Sequence, residues 1–162
     1  MTENDAQFFF FDSGEEEDPI AFFAEDIDFE PDQSNELSSW MKAIVDEEQC
    51  KLGSVSFIFC SDERLLEMNQ TYLNHDTLTD IITFPYADPP LVNGDVFISL
   101  DRVKDNADTY QVPFEHELHR VMIHGILHLC GYGDKTADEK NHMTAKEDAA
   151  LAKRKNYLRG LN

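Results

Sequence analysis

Apolar residues recur at two periods along this chain, and the switches between them divide it into elements. Leu37, Trp40, Met41 and Ile44 stand three or four apart, the spacing of one helical face, with Ser34 ahead of them as a cap. Before that helix, Ala21 to Phe29 reads as a strand; after it, Val55 to Cys60 reads as a short buried one. Ser61 and Asp62 cap a second helix with the stripe Leu65, Met68 and Tyr72, and two strands follow, Asp80 to Phe84 and Asp95 to Leu100. Asp101 starts a third helix that presents Val103, Ala107 and Tyr110 on one side, and Pro113 separates it from a long helix, Phe114 to Cys130. Few polar residues follow Arg120 in that long helix, so its second half must be buried. The last helix opens with a capping box, Thr136 to Glu139, and closes with Lys153, Arg154 and Lys155, cations suited to the negative end of its dipole.

The order βαβαββααα predicts an α+β domain, a small mixed four-stranded sheet packed with about five helices, not the strict alternation of a doubly wound fold. At 162 residues the chain fits one domain, taken as residues 19 to 162. Residues 1 to 18 hold the tetrad Phe8 to Phe11 and an acidic run through Asp18 with no helix or strand period, and are expected to be a disordered leader or, alternatively, a partner-docking segment.

Charge sharpens this picture. The formal net charge is -20; no Lys or Arg precedes Lys42, and 13 of the 33 acidic residues lie between Glu3 and Glu36. Such a balance argues against tight nonspecific binding to nucleic acid unless positive charge is clustered locally. Cys50, Cys60 and Cys130 are odd in number and widely spaced, which describes reduced packing residues, not a disulfide framework. No apolar run approaches the roughly 18 to 20 residues that cross a bilayer, and no secretory signal opens the chain, so a cytoplasmic protein without a membrane partner is expected.

The chemistry concentrates in His124-Gly125-Ile126-Leu127-His128-Leu129-Cys130-Gly131-Tyr132-Gly133-Asp134. Histidines four apart on a helix reach one metal ion from the same face, although an isolated pair is as readily a hydrogen-bonded core pair. Gly131 can end the helix in a left-handed turn and Gly133 adds a second joint, so Asp134 can swing back toward the imidazoles. The spacing His-x3-His-x5-Asp parallels the three-ligand pattern of metzincin zinc proteases. Three protein ligands, His124, His128 and Asp134, would leave a position open for a metal-activated water, with zinc favoured over manganese or magnesium by the two imidazoles. Gly125 stands where an HExxH protease carries its general base, which makes peptide hydrolysis the weaker expectation and phosphodiester cleavage the stronger.

The segment resembles the signature of the YbeY family, HGxLHLxGYxH, at His124, Gly125, Leu127, His128, Leu129, Gly131 and Tyr132, with Asp134 at the position of the family's third metal-binding His. Asn69-Gln70-Thr71-Tyr72 and Asp76 to Pro85 are similar to the family's NxxYRxxDxxTDVLSFP, and Gly94-Asp95-Val96-Phe97-Ile98-Ser99 to its GDIxIS strand. The resemblance implies a single-strand-specific endoribonuclease with a zinc-type metal on a buried helix. The activity it implies matures the 3' end of 16S ribosomal RNA and serves ribosome quality control, with ribosomal RNA and the small subunit as partners and no DNA. It also places the loop of Asn74 and His75 near a substrate groove, where His75 is a phosphate contact, an acid-base group or an exposed loop His without a role. Thr79 and Asp80 either shape that groove or start the following strand, and His75 and Asp80 are the candidates for a catalytic role. Leu73 occupies the position of the family's functionally important Arg; His75, Arg64, Arg102, Lys104 and Arg120 are the side chains that could replace it. His116 and His119 read as surface or supporting residues, and His142 as an alternative third ligand without a turn to bring it in. The alternatives to a ribonuclease are a zinc metalloprotease-like hydrolase and a non-catalytic ribosome-assembly factor.

Overall fold

A computed structural model describes residues 18–75 and 77–161. The expected leader therefore lies outside the described residues, apart from Asp18, which accepts from Ser38 Oγ and from the backbone of Ile20 and pairs with Lys42. The elements run β1 (Ile20–Ala24), α1 (Ser34–Glu47), β2 (Lys51–Cys60), α2 (Asp62–Leu73), β3 (Ile81–Pro85), β4 (Leu91–Ser99), α3 (Leu100–Tyr110), α4 (Phe114–Leu129) and α5 (Ala137–Ala152), with a 3-10 turn at Arg154–Asn156. The predicted order holds. The sheet is mixed and four-stranded in the spatial order β1-β2-β4-β3, with β1 and β4 parallel to β2 and β3 antiparallel along the outer edge of β4.

Alternation along the strands sorts the core into two layers. Val55, Phe57 and Phe59 of β2 and Val92, Val96 and Ile98 of β4 pack with Leu37, Trp40, Met41 and Ile44 of α1 and with Met122, Ile123, Ile126 and Leu127 of α4. The opposite face is smaller: Cys60 and Ile82 meet Leu65 and Met68 of α2, with Phe84 and Phe97 against them. Trp40 is fully buried with its indole N–H satisfied by Ala150 O at 2.8 Å, which ties α1 to α5.

Several boundaries move for physical reasons. β1 stops at Ala24, yet Phe29 stays in the core by meeting the rings of Phe59 and Phe114 edge-on, so the apolar run to Phe29 was a packing signal beyond the strand. Ser34 is the first residue of α1 and not its cap. Gln33 takes that place at φ 56, held by hydrogen bonds to and from the Arg159 backbone, both at 2.9 Å. Ser61 caps α2 as expected, whereas α3 is capped by Ser99 and starts at Leu100. The capping box of α5 is present with both its hydrogen bonds. Its closing cations are not as expected: the helix ends at Ala152, and Arg154 turns inward to 8% exposure because acceptors await it there. All three cysteines are free thiols, Cys60 fully buried.

Among the described residues no helix is long and apolar enough to cross a membrane.

Candidate active-site cleft

A cleft of about 750 Å³ opens where the edge strand β3, the C-terminal half of α3, the length of α4 and the middle of α5 converge. α4 lies close on the sheet because position 125 is glycine: a Cβ there would sit 2.9 Å from Val96 Cγ1 and 3.2 Å from Ile81 Cδ1. That contact gives a physical reason for the missing protease-type Glu, since even a Cβ would crowd Val96 and Ile81 between this helix and β3–β4. After α4, Gly131 turns the chain at φ 111, and Tyr132 anchors the returning loop through its hydroxyl on Glu48 and the Lys146 ammonium 5.4 Å over its ring.

The two helical histidines are both oriented from behind. His124 Nδ1 is 2.6 Å from Glu147 Oε2, and His128 Nδ1 is 2.7 Å from Tyr132 O. Each acceptor takes the Nδ1 proton, which leaves Nε2 of either ring as the ligating nitrogen, the arrangement found behind metal-bound histidines. The rings lie 5.9 Å apart between centroids, and Asp134 Oδ2 comes back to 3.3 Å from His124 Nε2. The helix spacing and the glycine turn thus bring Asp134 to the first histidine. Among the described residues, however, no three His, Cys, Asp or Glu side chains are gathered as tightly as a metal ion requires.

The field around His124 nonetheless suits a cation. Burial disfavours its charge, but Glu147, Asp134 and Asp80 outweigh burial and hold its pKa above the usual histidine value. Glu147, buried on α5, also accepts from Arg120 Nη1 at 2.8 Å, while Arg120 Nη2 reaches Asp148 at 2.6 Å. The donor set of two imidazoles and a carboxylate with carboxylate and carbonyl support is of the kind that holds a transition-metal ion, and His124, His128 and Asp134 are the residues that could hold one.

Of the other residues singled out from sequence, Thr79 and Asp80 line the cleft, whereas Asn74 and His75 lie outside its lining at the left-handed end of α2. Leu73 does line it. Arg120 is the one Lys or Arg of the described residues in the lining; Arg64 is bound to Glu25 and Glu67, and Arg102 to Asp62 and Asp105. His142 instead packs edge-on against Tyr132 with centroids 5.3 Å apart.

Sequence reasoning missed the part of the cleft farthest along α4 from the histidine pair. Asn106 and Tyr110 of α3 and Glu117 of α4 line it beside His116. Burial pushes the Glu117 carboxyl up to about 7, and Asp80 adds to the effect. A signal existed for Glu117, which stands seven residues, two helical turns, before His124 on the same face. None existed for Arg154, whose guanidinium donates to His119 Nδ1 at 2.8 Å, His116 Nδ1 at 3.2 Å and Leu151 O at 3.1 Å. His119, expected at the surface or as support, is buried and held neutral, its pKa lowered to about 3 by burial and by Arg154.

A family model described as Endoribonuclease YbeY matches residues 20–155. Endoribonuclease YbeY of Parabacteroides distasonis is 49% identical over 133 residues, covering 82% of this chain and 94% of that protein. Endoribonuclease YbeY of Cytophaga hutchinsonii is 49% identical over 140 residues, covering 86% and 98%. The solution structure of TM1509 from Thermotoga maritima superposes with a TM-score of 0.64 at 27% identity, covering 85% of this chain and 89% of that one.

Proposed function

The chain belongs to the YbeY family of endoribonucleases, and from that premise we propose a cytoplasmic, single-strand-specific, metal-dependent endoribonuclease that matures the 3' end of 16S ribosomal RNA and serves ribosome quality control. The observation that carries the reading is the pair His124 and His128, each fixed through Nδ1 by a separate partner and each left with Nε2 for a metal, with Asp134 at His124. One zinc ion is the cofactor we assign to these residues. When bound it supplies a Lewis acid that stabilises charge developing on a phosphodiester.

The protein's own groups then divide the remaining work. Glu147 fixes the His124 ring and, with Asp148, holds Arg120, so the one guanidinium that lines the cleft among the described residues is kept in place with both terminal nitrogens already paired. Only its remaining N–H groups are left to meet a phosphate where Leu73 brings no charge. Thr79 and Asp80 form the rim on the β3 side. The groove is otherwise acidic, which suits a substrate delivered by docking on the small ribosomal subunit and its basic proteins, not capture of free RNA. Gly125, closed off by Val96 and Ile81, leaves no place for a protease-type base, which counts against the metalloprotease reading.

Elemental analysis beside cleavage of a single-stranded RNA and its duplex tests this. About one equivalent of zinc and cleavage of the single strand, both lost in His124→Ala and Asp134→Ala, are expected. Metal-independent cleavage, or small-subunit maturation fully supported by His124→Ala, would refute it.

A further inference from the structure

The α3–α4 end of the cleft carries an unmet hydrogen-bonding demand. Glu117 is 4% exposed and lines the cleft, yet among the described residues its carboxylate accepts no hydrogen bond and makes no ion pair. A buried carboxyl without a partner is costly and points to a ligand that supplies donors. Its neighbour His116 is the complement. An arginine only donates, so His116 Nδ1, 3.2 Å from Arg154 Nη2, must be the acceptor, and the ring proton sits on Nε2. Arg154 thus fixes His116 as a neutral imidazole with one remaining donor, on a ring that lines the same cleft. Tyr110, 64% exposed, adds an aromatic face to the lining, and Asn106 an amide whose Nδ2 lies 3.5 Å from Asp80 Oδ2.

An aromatic face, an acceptor pair and a fixed donor are what recognition of an unstacked nucleobase requires. Among the four RNA bases only guanine offers two adjacent donors, N1–H and the N2 amino group, with an acceptor, O6, beside them. A carboxylate takes both donors at once, and an imidazole N–H meets the acceptor. We propose that Glu117, His116 and Tyr110 form a guanine-selective subsite of the cleft: Glu117 receives N1–H and N2–H, His116 Nε2–H donates to O6, and Tyr110 stacks on the ring.

This assignment rests on the endoribonuclease reading for its purpose but not for its test. Nucleoside monophosphate binding is followed in the purified protein by NMR shifts of the Tyr110 and His116 rings. GMP is expected to bind at least ten-fold more tightly than AMP, CMP or UMP, in keeping with the discrimination of about ten- to hundred-fold that a bidentate contact provides. IMP, which lacks the 2-amino group, and the variant Glu117→Gln should each lose that preference, while Tyr110→Ala weakens GMP without changing the ranking against AMP. In parallel, sequencing the cut sites in a randomised single-stranded RNA should show guanine enriched at one fixed offset, with the enrichment removed by Glu117→Gln. Equal binding of the four monophosphates, another base preferred, or a guanine preference that survives in Glu117→Gln would overturn the subsite. Selective GMP binding in a protein that cuts no RNA would leave the subsite standing and sink the ribonuclease reading, whereas cleavage without guanine selection or GMP binding would do the reverse.

Discussion

Replacing Glu117 by Gln should change how the stability of this protein depends on pH. Burial raises the carboxyl from its ordinary 4.5 to about 7, so the unfolded chain ionises first as pH rises and the folded state lags behind. A penalty on folding therefore opens above pH 4.5 and stops growing near 7, where the native carboxyl also ionises. The gap corresponds to roughly 3 kcal/mol at 1.36 kcal/mol for each tenfold change in proton affinity, and to about half of that if water reaches the charged form. Glutamine does not titrate, so whatever its buried amide costs is constant with pH. Urea unfolding of chelator-treated wild type and variant at pH 8 and pH 5 isolates the effect. Relative to Glu117→Gln, the wild type should gain roughly 1.5 to 2.5 kcal/mol on moving to pH 5. Parallel pH profiles for the two proteins would refute the reasoning and show that the fold does not raise the Glu117 carboxyl.

Other consequences follow from the same geometry. Glu147→Gln removes the negative charge behind His124 and leaves one acceptor oxygen where His124 and Arg120 each had their own; it should weaken metal binding by about 10- to 100-fold, read by competition with a zinc chelator, with the fold kept by circular dichroism. Gly125→Ala pushes a methyl group against Val96 and Ile81 and should cost about 1 to 3 kcal/mol in denaturant unfolding; no measurable loss would mean that α4 has room to lift from the sheet. His119, held neutral down to about pH 3, should show no titration of its ring signals by NMR between pH 8 and pH 5, while the unfolded imidazole protonates near 6.5. Stability linked to this residue is thus complete above pH 6.5 and erodes as pH falls below it, and a His119 ring that titrates near 6.5 would show that Arg154 does not hold it.

Much of this protein was legible in the sequence because its signals are local. Helix stripes such as Leu37, Trp40, Met41 and Ile44, the capping box at Thr136 and the spacing of His124, His128 and Asp134 depend on residues within a few turns of one another, so the one-dimensional pattern determined the element order and brought Asp134 back to His124. What the chain alone did not reveal is long-range. Gln33 stands as the cap of α1 because the Arg159 backbone, far along the chain, binds its side chain, and Arg154 is buried because His116 and His119 on another helix accept hydrogen bonds from it. Glu147 backs His124 across the α4–α5 packing, and Glu117 meets Asn106 and Tyr110 only in the cleft that α3 and α4 enclose. Periodicity reports which face of an element is buried, not which side chain from a distant element will meet it there. Only tertiary packing could settle those pairings and so turn a His-x3-His motif into a cleft with a charge balance of its own.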